Sequence, residues 1–140
     1  MLDKYSLPLE FKYLPVIESG LNPLAVSKSG ATGLWQFLFN SYKMFDLEIN
    51  SYIDERRDVY KSTEAACKYL NYLNGIFNDW QLVLASYNGG PGDVRKAFER
   101  SNGATGYWQI RPYLSEQAQG YVTCIYCRNL CNELLQRTWY

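Results

Sequence analysis

The stretch DERRDVYKSTEAACKYLNYLNGIF, which begins at Asp54, constrains this chain most, because its apolar residues return with the period of a helix. Ala66, Tyr69, Leu70, Leu73 and Phe77 fall three or four residues apart, the spacing that lines one helical face, and Asp58 or Ser62 can cap the start. Nowhere do apolar residues alternate with period two over a convincing strand length, residues 47–53 coming nearest. The expectation is an all-α domain.

Helical punctuation recurs on both sides of that stretch. Pro8 suits a first helical position, the run behind it ends at Glu18 and Ser19, and Gly20 is a natural C-terminal cap. Pro15 within the run kinks or splits it. Residues 21–33, rich in Asn, Pro, Ser and Gly, read as loop, and a second helix is expected over 34–45. Asp79 caps a helix over 80–87 that closes at Asn88-Gly89-Gly90, and Pro91 opens another through Val94, Ala97 and Phe98. RSNGATGYWQIRPYL reads as a turn-rich linker, after which Ser115 starts the last helix. At 140 residues the whole chain, 1–140, is expected to form one domain, with a core that needs no metal or disulfide staple.

Composition excludes several classes of function. Lys plus Arg equal Asp plus Glu at 14 each, so net charge points to neither nucleic acid nor an anionic membrane. The chain lacks histidine, which removes His-based triads, His general bases and most catalytic zinc sites. Acid–base chemistry falls to Glu, Asp, Tyr, Lys or Cys. Aromatics make up 16% of the residues, with 13 Tyr and 4 Trp, and their flat faces suit sugar rings as well as cores. Cys124, Cys127 and Cys131 have a C-x2-C-x3-C spacing that admits a metal or redox reading. The alternative, which we prefer, stacks these thiols on the core face of a helix with Tyr121, Val122, Ile125, Leu130, Leu134 and Leu135. Cys67 could pair with one of the three in an oxidising compartment. No stretch is long enough to span a membrane, and Met1-Leu2-Asp3-Lys4 lacks a signal peptide's apolar core. Either the chain is cytoplasmic or it is a trimmed fragment.

The candidates for chemistry are polar residues beside glycines at element ends, where side chains project into clefts. Glu18 sits in the last turn of its helix behind Val16 and Ile17. There the negative end of the helix dipole and the apolar neighbours both favour its protonated form, which protonation of a glycosidic oxygen requires. The plainer alternative is a solvated helix-end acid. Gln36 follows Gly33, and Tyr87-Asn88 precedes two glycines; their plainer alternatives are a surface glutamine, a core tyrosine and a left-handed cap asparagine. Asp54, Glu55 and Asp58 alternate with Arg56 and Arg57 and are expected to form an ion-pair network that anchors the loop.

Taken in order, LPVIESGLNPLAVSKSGATGLWQF, DERRD, STEAACKYLNYL, DWQLVLASYNGGPGDVRKA and Tyr121-Val122 resemble the successive motifs of the SLT-type lytic transglycosylases, glycoside hydrolase family 23. The Trp of GLWQF and the DERRD stretch are most similar to the membrane-bound murein transglycosylase D type. The resemblance is strongest over 14–122. It implies a compact lysozyme-like helical fold with a substrate groove, peptidoglycan glycan strands as the partner, no cofactor or metal, a monomer, and a place in the bacterial cell envelope, periplasmic or outer-membrane associated.

The resemblance also assigns roles. Glu18 falls on the family's catalytic glutamate, the sole acid and then base, and Ser27 on a loop serine that hydrogen-bonds near it. Gln36, at the end of Gly33-Leu34-Trp35-Gln36, lines the sugar groove, Tyr87 and Asn88 orient the substrate's acetamido group, and Tyr121 approaches the acid. Trp35 and the tyrosines either stack on sugars or fill the core. Glycosidases ordinarily use two carboxylates; the family's route needs one, and it yields 1,6-anhydromuramic acid. Departures are Ser86 for the usual alanine, Leu38 for a common methionine, and Ser115, Gln117 and Ala118 before Tyr121, which threaten the start of the last helix more than the chemistry. The rivals are a goose-type lysozyme that hydrolyses the same bond, a non-catalytic glycan-binding module, and a transglycosylase serving a secretion system or phage tail.

Overall fold

Pro15 cannot donate a backbone hydrogen bond, and the chain restarts its helix around it. The computed structural model describes residues 1–138, with the side chains of 41–43 and 129–138 left out. A 3-10 segment, Leu9–Tyr13, passes into α1, Leu14–Ser19, with Pro15 in its first turn, the split expected of an internal proline. Gly20 closes α1 at φ 60°, its N–H bonded to the Val16 carbonyl at 3.1 Å. Among the described residues the regular elements are all helical, and strand-type pairing is limited to isolated bridges, Val26 with Thr32, Thr32 with Phe37 and Ile49 with Asp54.

Packing divides the chain into two compact units, Met1–Asn71 and Tyr72–Tyr140. In the first, Leu7, Phe11, Leu14, Trp35, Phe37, Phe45, Leu47, Ala66, Cys67 and Leu70 are buried. Helix α2, Val59–Phe77, starts where expected, with Asp58 Oδ1 accepting from the Lys61 N–H at 2.8 Å. The N-terminus is tied to α2 by Tyr5, whose hydroxyl donates to Glu64 at 2.7 Å and whose carbonyl accepts from the Asn71 amide at 3.0 Å. Phe45 stacks obliquely on Phe37 and Tyr69, with ring centres 5.9 and 5.0 Å away.

The helix expected over 34–45 does not form. Residues 33–36 turn, Phe37 pairs with Thr32, and only a 3-10 segment, Phe39–Met44, follows. Gly33 at φ 87° and Gln36 at φ 53° lie in the left-handed region, which a right-handed helix excludes.

The second unit holds the end of α2, then α3 (Trp80–Gly89), α4 (Pro91–Arg100), α5 (Tyr107–Ile110) and α6 (Glu116–Thr138). Asp79 caps α3, accepting from the N–H groups of Gln81 and Leu82 at 2.8 and 3.4 Å. Gly90, at φ 85°, ends α3 and begins α4, with Pro91 as expected in the first turn. Helix α3 packs against α4 and α6, burying Leu82, Val83, Leu84, Ala85, Val94, Ala97, Ala118, Val122 and Ile125. A fully buried Val or Ile contributes about 1.5–3 kcal/mol, so this face carries most of the unit's packing.

Two expectations need correcting here. The stretch expected as linker contains α5, because Tyr107 and Ile110 are 1% and 0% exposed and anchor it in the core. The cysteines on α6 do not join that core. Cys67, on α2, is buried, but Cys124 and Cys127 are exposed, because the buried face of α6 runs through Ala118, Tyr121, Val122 and Ile125 and at 100° per residue Cys124 falls on its flank and Cys127 opposite it. Cys131, with Leu130, Leu134 and Leu135, lies outside the described side chains. The departure at Ser115 does no harm: its Oγ caps α6 at the Ala118 N–H, 3.4 Å away, and donates to Asp93 at 3.0 Å. Ala118 is fully buried and stands where a β-carbon on Gly89 would come within 3.4 Å.

Candidate active site

Glu18 occupies the last turn of α1, as expected, and is half-buried. Its neighbour Ser19 fixes that turn. The Ser19 hydroxyl has one hydrogen placed between two acceptors, the Pro15 carbonyl at 3.0 Å within the helix and the Leu34 carbonyl at 2.9 Å in the following loop. The end of α1 is thereby joined to the Gly33-Leu34-Trp35-Gln36 turn.

That turn is held by its own backbone and by Gln36. The Gly33 N–H donates to the Ala25 carbonyl at 2.9 Å, and Gln36 Nε2 reaches the carbonyls of Gly33 and Ala25 at 2.9 and 3.3 Å. Gln36 is half-buried, and its amide nitrogen works as a clasp on the loop. Ser27 lies on the same loop, with its hydroxyl accepting from the Ala31 N–H at 3.0 Å and 2.9 Å from the Ser29 hydroxyl. These bonds shape the loop itself. Trp35 is 3% exposed, with its indole N–H on Thr63 Oγ1 at 2.9 Å, so of its two expected roles the structure gives it the core.

Arg56 reaches the loop from below. Its guanidinium donates to the carbonyls of Gly30 and Phe37 at 3.3 and 3.2 Å and to both carboxylate oxygens of Asp54 at 2.9 and 2.7 Å. The guanidinium holds the Asp54 carboxyl below the usual carboxylate range, against a smaller opposing effect of burial. Glu55 pairs with Lys61 and accepts from the Glu48 N–H at 2.7 Å; the Lys61 ammonium is the main reason its carboxyl is also lowered. Of the expected ion-pair network the Asp54–Arg56 pair forms, whereas Glu55 pairs with Lys61 rather than with an arginine and Asp58 serves as the α2 cap. Within the first unit, then, α1's end, the Ser27 loop and Gln36 form one hydrogen-bonded assembly. Sequence reasoning passed over Ser19, whose position directly after Glu18 was the available signal, and it gave Arg56 an anchoring role without naming the carbonyls it holds.

In the second unit Tyr87 and Asn88 sit in the last turn of α3, both half-buried, and Tyr121 is 7% exposed on α6. Asn88 is helical, so it is not a left-handed cap; the C-cap is Gly90, at φ 85° and ψ 154°. Two polar atoms here are buried and without a hydrogen-bond partner among the described residues, Asn88 Oδ1 and Ser86 Oγ. A buried acceptor left open is costly unless something else supplies a donor.

Among the described residues no three His, Cys, Asp or Glu side chains gather as a metal site would need, and no helix is long and apolar enough to cross a membrane. Leu38, the departure from methionine, is exposed.

The family model described as the transglycosylase SLT domain matches residues 2–111, a span that holds Glu18, Ser27, Gln36, Tyr87 and Asn88. Membrane-bound lytic murein transglycosylase D of Escherichia coli strain K12 is 35% identical over 123 residues, which is 85% of this chain and 27% of that protein. A putative tributyltin chloride resistance protein of Alteromonas sp. strain M-1 is 39% identical over 97 residues, 69% of this chain and 47% of that protein. The chain thus spans about a quarter to a half of these relatives. Among solved structures, the 70 kDa soluble lytic transglycosylase of Escherichia coli superposes with a TM-score of 0.71 at 27% identity, covering 85% of this chain and 20% of that one. An inactive variant of the lytic transglycosylase Slt of Pseudomonas aeruginosa superposes with a TM-score of 0.72 at 20% identity, over 89% of this chain and 21% of that one. The order of motifs, the helical lysozyme-like fold and the matched span agree: the chain belongs to the transglycosylase SLT domain family.

Proposed function

We propose that this chain is a peptidoglycan lytic transglycosylase of the bacterial cell envelope, cleaving the β-1,4 bond between N-acetylmuramic acid and N-acetylglucosamine with Glu18 as sole acid and base. The observation that carries this reading is the Ser19 to Leu34 hydrogen bond, which fastens the helix end bearing Glu18 to the turn bearing Gln36. Glu18 protonates the glycosidic oxygen as the C1–O bond breaks. It then takes the proton of the C6 hydroxyl as that oxygen closes on C1, giving the 1,6-anhydro sugar; no water is consumed. Tyr87 and Asn88 orient the acetamido group, for whose N–H the open Asn88 Oδ1 is a suitable acceptor, Ser27 and Gln36 belong to the loop that presents the glycan, and Tyr121 has the role that the family resemblance gives it.

The test is digestion of purified sacculi followed by mass spectrometry. The wild type should release anhydro products, one water lighter than reducing ends, and Glu18→Gln should release none while melting at the same temperature. Reducing ends would transfer the chain to the hydrolytic reading, goose-type lysozyme. Wild-type turnover by Glu18→Gln would remove Glu18 from the chemistry.

A further inference from the structure

Free cysteine is among the most buried of side chains, and Cys67 follows that rule, with burial pushing its thiol up. Cys124 and Cys127 depart from it. Both are unpaired thiols on the exposed face of α6, three residues apart, beside the exposed Tyr126 and Arg128. Side chains at that spacing are neighbours one turn apart, with β-carbons about 5–6 Å from each other. A disulfide needs β-carbons about 3.5–4.5 Å apart, so joining the two sulfurs directly would distort the helix. An ion that binds thiolates at about 2.3 Å, the zinc–sulfur distance, lets the sulfurs stand up to roughly 4.6 Å apart. That separation is reachable by rotation about χ1 alone. Two thiolates do not complete a zinc site, which takes four ligands, whereas soft monovalent copper favours thiolate ligands and accepts few of them.

We propose that Cys124 and Cys127 form a surface dithiol site for one soft, thiophilic ion of the Cu(I) type. Binding exchanges two S–H protons for two S–Cu bonds, releases both protons to solvent and leaves the oxidation state of copper and sulfur unchanged.

Anaerobic titration of the 140-residue chain with Cu(I), against a chromogenic Cu(I) chelator, tests the site. The wild type and Cys67→Ala should each take up one ion per chain. Cys124→Ser and Cys127→Ser should each weaken uptake more than about 100-fold, since groups that merely orient metal ligands already cost about 10–100-fold. Zn(II) at equal concentration should not be retained. A footprint with iodoacetamide needs no variant: Cu(I) should protect Cys124 and Cys127 from alkylation. Equal alkylation with and without copper, or undiminished copper uptake by both serine variants, overturns the proposal.

Discussion

The carbonyl oxygen of Arg56 lies 1.8 Å from the point that a β-carbon on Gly33 would occupy. Two backbones therefore meet here closely enough that only a missing side chain lets them pass. The contact joins the loop of the Gln36 turn to the segment before α2, and Gly33 is also held at φ 87°.

Gly33→Ala should lower stability by at least about 2–3 kcal/mol, since the left-handed strain of about 1–2 kcal/mol is added to a backbone collision. Gly30→Ala is the control: it too has a positive φ, but open space surrounds its β-position, and it should cost only the strain. Urea midpoints of the two variants compare these directly, and similar losses would show that the collision relaxes freely.

The Asp54–Arg56 pair predicts a particular acid dependence. The folded Asp54 carboxyl is lowered, so the unfolded chain binds its proton first. The pair's contribution is complete above the unfolded carboxyl value of about 3.9 and is lost as pH falls through the lower folded value. Asp54→Asn should therefore cost about 1–3 kcal/mol at pH 7, as for a hydrogen bond to a charged group, and progressively less as pH falls below the unfolded value. Melting curves from pH 7 downward check this; a deficit constant with pH would mean that Asp54 acts through shape alone.

Ser86 stands fully buried with its hydroxyl unpartnered among the described residues. Ser86→Ala should raise stability, by roughly 1 kcal/mol on the scale of a buried unsatisfied hydroxyl, or about 3–4 °C in Tm for a chain of this size. Calorimetry decides it, and a lower Tm would reveal a partner for the hydroxyl.

Elements with local punctuation were legible in the sequence: Asp58 before α2, Asp79 before α3 and Ser115 before α6 each cap a backbone N–H two or three residues on, and Pro91 stands in the first turn of α4. Residues 34–45 were not, because the turn there is braced by Arg56, which donates to the carbonyls of Gly30 and Phe37, 26 and 19 positions back, and no window of local propensity contains that partner. The α6 thiols failed for a different reason. Their spacing correctly put them on one face, but Val122 and Ile125 point elsewhere, and spacing alone does not say which face is covered. Of the candidate site, Glu18 and Gln36 stood out in the sequence by their place beside glycines and Ser27 through the family resemblance, whereas the bonds that shape their surroundings run through Ser19 and Arg56.

Gly90 closes one helix and opens the next, so a single residue separates α3 from α4. Such a corner has no slack. One inserted residue would turn all of α4 by about 100°, carrying Val94 and Ala97 off the core and swinging Asp93 away from Ser115. The length of the chain between Asn88 and Val94 is thus set as firmly as its composition, and length variation is best absorbed beyond α4, in the exposed turn around Asn102 and Gly103.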